Sequence, residues 1–131
     1  METPELEKEV YTALISNAEL MTLLPNGALS IFHYVAPSSL PDKYPVVVYA
    51  PISDVPALAG DNQELAHRVT IRIHVITRER NTITEQAKFL NACKAIKRTM
   101  IDLGFMRRQT TPFLEDGRAI LIYDYVKVVE S

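Results

Sequence analysis

Side chains that could catalyse a reaction or bind a metal ion are few and far apart in this sequence. The 131 residues include one cysteine, Cys93, and three histidines, His33, His67 and His74. Metal sites need such ligands clustered at short, regular spacings, which these histidines lack. A nucleophilic cysteine needs an open, positively charged environment, whereas Cys93 lies on the apolar side of a predicted helix. The sequence therefore predicts neither a metal site nor a catalytic thiol.

Other motifs of enzyme sites are missing as well. The four glycines are too far apart to form a phosphate-binding loop. The paired carboxylates, Glu115 with Asp116 and Asp61 with Glu64, fall in a predicted turn and a predicted loop, where acidic residues are common. We predict no catalytic residues, no cofactor and no metal, and hence a protein that is not an enzyme. An enzyme with an unrecognised site is the alternative that these residues leave open.

Charge is distributed unevenly along the chain, although the net charge is only -2. Residues 1–67 hold nine acidic and two basic residues, and residues 68–108 hold three acidic and ten basic residues. Residues 109–131 hold four acidic and two basic residues. A polarised molecule of this kind can associate head-to-tail, the acidic part of one copy meeting the basic part of the next.

Five arginines are the candidates for an interaction surface: Arg68, Arg72, Arg78, Arg107 and Arg108. The first three lie on one face of a predicted strand over residues 67–78, in which apolar and polar residues alternate. No aromatic residues are interleaved with these bases, so sequence-specific nucleic-acid recognition is not predicted. The acidic surface of a second copy fits them better, and we expect Arg72→Glu to impair assembly while leaving the subunit folded.

Apolar periodicity and turn signals predict the order helix, two strands, a loop, one strand, helix, two strands. The helices are predicted at residues 4–16 and 82–103, and the first strand at Leu29–Val35. Without repeated β-α-β units, we predict one α+β domain over residues 1–131. It is a mainly antiparallel sheet of four to five strands with two helices packed on one face.

The segment 51–66 contains Pro51, Pro56, Gly60, Asp61 and Asn62, which are typical of turns and loops. We predict that it is a long, flexible loop that proteases cleave first. No apolar run in the chain is long enough to cross a bilayer, so no membrane contact is predicted.

The order of elements resembles that of the tail-completion or tail-terminator proteins of tailed bacteriophages. The resemblance covers nearly the whole chain and rests on five stretches: Val10–Ile15, Lys43–Tyr49, His67–Val75, Leu103–Phe105 and Pro112–Gly117. It implies a small structural subunit that forms a hexameric ring, completes the tail tube and joins it to the head connector. Related neck and minor tail subunits have a similar size and a similar order of elements.

This family has no catalytic residues to transfer, and its partners would be other copies, the tail-tube protein and the head-connector protein. The location implied is the virion, and the host cytoplasm during assembly. In such a ring the five arginines would lie at the subunit interface or line the lumen, where they could contact passing DNA non-specifically. A small binding module of a cellular complex is the alternative function.

Overall fold

A five-stranded sheet with three helices packed on one face forms the chain, which confirms the predicted α+β class. The computed structural model describes residues 1–36, 44–80 and 82–131. Lys43, at the start of one stretch of the resemblance, lies outside the described residues. The elements in chain order are α1 (Thr3–Ile15), α2 (Ala18–Leu23), β1 (Ile31–His33), β2 (Val46–Gly60), β3 (Gln63–Arg78), α3 (Ile83–Asp102), β4 (Met106–Glu115) and β5 (Arg118–Glu130).

Both long helices begin and end within one residue of the predicted positions. Glu2 and Glu5 form a reciprocal capping box at the start of α1. The Thr82 hydroxyl accepts a hydrogen bond from the Glu85 amide at 3.1 Å and caps α3. Gly104, with φ +90°, ends α3 in a left-handed conformation that a side chain would disfavour.

The main core lies between the helices and the sheet. Val69, Ile71, Ile73 and Val75 alternate along β3 and are fully buried under the helices. On the helix side, the stripe of α3 that includes Ile96 is buried against them. β3 therefore lies beneath α3.

The strands are ordered β1-β2-β3-β5-β4, and every neighbouring pair except β1 with β2 is antiparallel. β4 is therefore an edge strand, where Pro112 is tolerated. The predicted strand Leu29–Val35 is wrong in length, since only Ile31–His33 is extended. Gly27–Ser30 forms a 3-10 turn instead, and there the Ser30 hydroxyl accepts the Asn26 amide hydrogen at 3.0 Å.

The predicted loop at residues 51–66 is wrong in structure, because this segment is the distal half of the β2–β3 hairpin. Pro51 and Pro56 fit in β2 because, in the described part of the chain, β1 pairs with Val47–Tyr49 alone and leaves this outer edge open. Asp61 and Asn62 both have positive φ angles and make the two-residue turn. The segment is largely exposed, and its mobility stays a prediction.

Candidate interaction surface

The face of the sheet opposite the helices carries most of the candidate arginines. At one end of this face Val46, Val48, Ile76 and Ile120 form a second, small apolar cluster, with Tyr44 packed against it. Further along β3 the side chains on this face become polar and then basic. The face therefore changes from an apolar end to a charged end along one strand.

Arg72 is held in an ion pair within the subunit. Its Nε donates to Asp124 Oδ1 at 2.8 Å, and its Nη2 donates to Asp124 Oδ2 at 3.1 Å, across the β3–β5 pair. The hydrogen bonds to Asp124 raise the pKa of Arg72. His74, next along this face, has its pKa lowered by burial and then by the positive charge of Arg72. Arg72 therefore already has an acidic partner within its own subunit, which the sequence alone did not indicate.

Arg68, Arg107 and Arg108 come together around a groove at the charged end of the sheet, together with Lys127. We call it the basic groove. Its volume is about 740 Å³, and its apolar lining includes Met106, whose surface is 75% exposed. Four cations around an open, partly apolar groove provide a surface for an acidic partner.

Sequence reasoning missed Lys127. Its Nζ lies 5.8 Å from the centre of the Phe105 ring, a cation-π distance. Its Cε would be 3.3 Å from a Cβ placed on Gly104, so the absence of a side chain there makes room for the lysine stem. The inward-facing residues of β5 are apolar at Leu121, Tyr123 and Tyr125, and the next inward residue is Lys127. A lysine at that position was the signal available in the sequence.

Arg78 does not belong to the basic groove. It lies ten residues from Arg68 along β3, which corresponds to roughly 33 Å of extended chain. Its guanidinium carbon is 5.8 Å from the centre of the Tyr44 ring, and its Nε is 3.9 Å from Glu85 Oε2. The structure therefore brings three of the five candidate arginines together and places Arg72 and Arg78 in separate settings.

The cysteine considered as a nucleophile lies in an environment that does not activate it. Burial raises the pKa of the Cys93 thiol, which keeps it protonated at neutral pH. Burial also raises the pKa of Tyr125 to about 12. Within residues 1–36, 44–80 and 82–131, no three His, Cys, Asp or Glu side chains meet as a potential metal site. No helix among these residues is long and apolar enough to span a membrane.

His67 connects the start of α1 to the hairpin. It lies on the helix side of β3, on the face opposite to His74. Its Nδ1 lies 2.6 Å from Asp54 Oδ1, and its Nε2 lies 2.7 Å from the carbonyl oxygen of Met1. Asp54 also accepts a hydrogen bond from the Thr3 hydroxyl at 2.5 Å. Both ring nitrogens face acceptors, so only the doubly protonated imidazolium can donate to both.

We predict that His67 makes the unfolding free energy depend on pH between about 5 and 8. The hydrogen bond to Asp54 raises the pKa of His67, so its contribution is fully present below the unfolded pKa and lost as pH rises through the folded pKa. The bonds from Thr3 and His67 lower the pKa of Asp54, so that contribution is lost only in acid.

Urea unfolding of the wild type and of His67→Gln at pH 5.5 and 8.5 tests this. The wild type should lose more stability than His67→Gln on going to the higher pH. Equal losses in the two proteins would contradict the assignment.

Comparison with known proteins gives matches among solved structures alone. No protein-family model matches the chain, and no curated protein matches it. Among solved structures, the fold is similar to that of a chain in the virion of a native gene transfer agent particle, with a TM-score of 0.66 and 19% identity. The match covers 93% of this chain and 92% of that chain. At this identity the likeness shows that the two chains share one fold from end to end.

Proposed function

We propose that this protein is a structural component of a virion and not an enzyme. The observation that carries the proposal is the similarity of fold to a virion chain over nearly the whole of both chains. More specifically, we propose that copies of the chain form a hexameric ring that completes a tail tube and joins it to the head connector. The protein would then be located in the tail or neck of the particle, and in the host cytoplasm during assembly.

The surface of the subunit supports association as its mode of action. Its most distinctive chemical feature is the open basic groove, while the first 67 residues carry most of the acidic excess. A ring requires each subunit to present two different, complementary surfaces, since the contacts are heterologous. An acidic surface and a basic surface on one chain meet that requirement.

Light scattering and negative-stain electron microscopy of the purified protein test the proposal. We expect a concentration-dependent species with a mass near six times that of the chain, visible as rings. Added to tail tubes, the rings should bind at one end and allow connectors to attach. A protein that stays monomeric at every concentration and binds to no tube would contradict the proposal.

Raising the salt concentration should dissociate the ring. The Debye length falls from about 10 Å at 0.1 M salt to about 3 Å at 1 M, so attraction between exposed opposite charges is largely screened. Light scattering across this range should show a loss of mass, while circular dichroism should show an unchanged fold. A ring whose mass does not depend on salt would contradict an electrostatic interface.

A further inference from the structure

We propose that the tip of the β2–β3 hairpin of one copy binds in the basic groove of a second copy. We call residues 55–65 the hairpin tip. This inference rests on the proposed function, because it assigns the two surfaces that would meet between neighbouring subunits of the ring. Both surfaces lie on the same chain, and their chemistry is complementary.

The hairpin tip is apolar, acidic and exposed. Val55, Leu58 and Leu65 are between 43% and 59% exposed, which is unusual for neighbouring large apolar side chains on a projecting element. Asp61 and Glu64 supply two carboxylates, and residues 51–67 contain no lysine or arginine. Glu64 accepts a hydrogen bond from the Ser131 hydroxyl, which is a neutral donor.

The tip projects beyond the rest of the sheet. The last pair between β3 and β5 is Ala66 with Glu130, and the four residues from Ala66 to Asn62 extend roughly 13 Å further. The hairpin leads away from Arg68, which lines the basic groove on the same strand and pairs with Val55 at the base of the tip. The turn of the hairpin therefore points away from the groove of its own chain, and a tip that occupies the groove must come from a second molecule.

The basic groove has the opposite charge and a matching apolar part. Three exposed arginines and the half-buried Lys127 line it together with Met106 and Val128, which are 75% and 54% exposed. The nearby carboxylate on this face, Asp124, is already bound to Arg72. Tip-to-tip and groove-to-groove contacts would bring like charges together, whereas a tip in a groove pairs opposite charges. Electrostatic complementarity of this kind sets orientation more than affinity.

Charge reversal on each side tests the contact. Asp61→Lys/Glu64→Lys reverses the tip, and Arg107→Glu/Arg108→Glu reverses the groove. Each variant alone should need on the order of tenfold higher concentration, or more, for half-maximal assembly by light scattering. An equimolar mixture should assemble again, with the two variants alternating at a ratio of one to one, because each tip then finds a groove of opposite charge.

Matched controls change the same number of charges elsewhere on the surface. Glu9→Lys/Glu79→Lys and Lys94→Glu/Lys97→Glu alter exposed residues of other elements and should assemble like the wild type. Circular dichroism confirms that every variant is folded. A wild type that assembles, together with tip and groove variants that assemble equally well, would overturn this contact and leave the proposed ring standing.

Three further outcomes would count against the contact. Failure of the mixture to recover assembly, although both variants are folded, would overturn it. If the groove variant assembles normally but no longer shifts the fluorescence anisotropy of a labelled DNA duplex that the wild type binds, the groove contacts nucleic acid and not a second copy. A wild type that never assembles would overturn both the contact and the ring.

Discussion

Ile71→Ala is expected to lower the free energy of unfolding by about 2–5 kcal/mol, the range found for truncations of large buried aliphatic side chains. Ile71 is fully buried in the middle of β3, at the point where the sheet and the helices meet. Its removal leaves a cavity that neighbours on a hydrogen-bonded strand cannot easily fill. Urea unfolding followed by circular dichroism measures the loss, with the slope of the transition as a check on two-state behaviour.

The helix α3 offers a matched pair for the same substitution. Ile96 is fully buried under the helix, while Ile83 is 91% exposed at its start. We expect Ile96→Ala to cost as much as Ile71→Ala, and Ile83→Ala to change stability by no more than about 0.5 kcal/mol. Equal effects at Ile96 and Ile83 would mean that α3 does not pack against the sheet in this orientation.

Arg72→Glu is expected to destabilise the subunit, because Arg72 is bound to Asp124 within its own chain. Its effect on assembly stays a prediction. The substitution replaces a two-point ion pair with two carboxylates, one of which belongs to Asp124, a residue with little exposure. Loss of a partner from a buried pair costs about 3–5 kcal/mol. Because the Arg72 side chain is 41% exposed, solvent reduces this cost, and we expect about 1–3 kcal/mol. Urea unfolding at pH 7 measures it.

Arg68→Glu is the control for this prediction. Arg68 lies four residues away on the same face of β3 and is exposed. We expect a change of no more than about 0.5 kcal/mol in its unfolding free energy. Arg72→Glu/Asp124→Asn should recover part of the lost stability, because it removes the repulsion between the two carboxylates. A fully stable Arg72→Glu subunit would show that the ion pair contributes nothing to the fold.

The elements defined by local signals were predictable from the sequence. The two long helices followed from apolar periodicity, and the buried face of β3 followed from its alternation of apolar and polar residues. The hairpin at 51–66 was not predicted, because prolines and small polar residues there favour a loop unless the position of the segment at an edge is known. Asp61 and Asn62, which tolerate positive φ angles, were the overlooked turn signal.

The candidate surface was only partly predictable for a related reason. Charge counting along the chain identified arginines but could not tell which have partners across strands. The register of β3 with β5 pairs Arg72 with Asp124, and this pairing depends on the whole sheet. The same long-range arrangement brings Lys127 beside Arg107, which are twenty residues apart in sequence. The local sequence pattern thus identified arginines as candidates, whereas the strand order and register determined which basic side chains lie close together.

Prolines in the outer strands affect how the sheet can pair with strands of other molecules when subunits are concentrated. Pro51 and Pro56 interrupt the exposed half of β2, and Pro112 interrupts β4 at the other side of the sheet, where Arg107 and Arg108 add positive charge. A strand from another molecule would find gaps in the row of backbone donors on either side. High local concentrations of subunits should therefore not lead to amyloid-like growth. Subunits therefore associate through side-chain surfaces, and association stops once every such surface is in contact with its complementary surface.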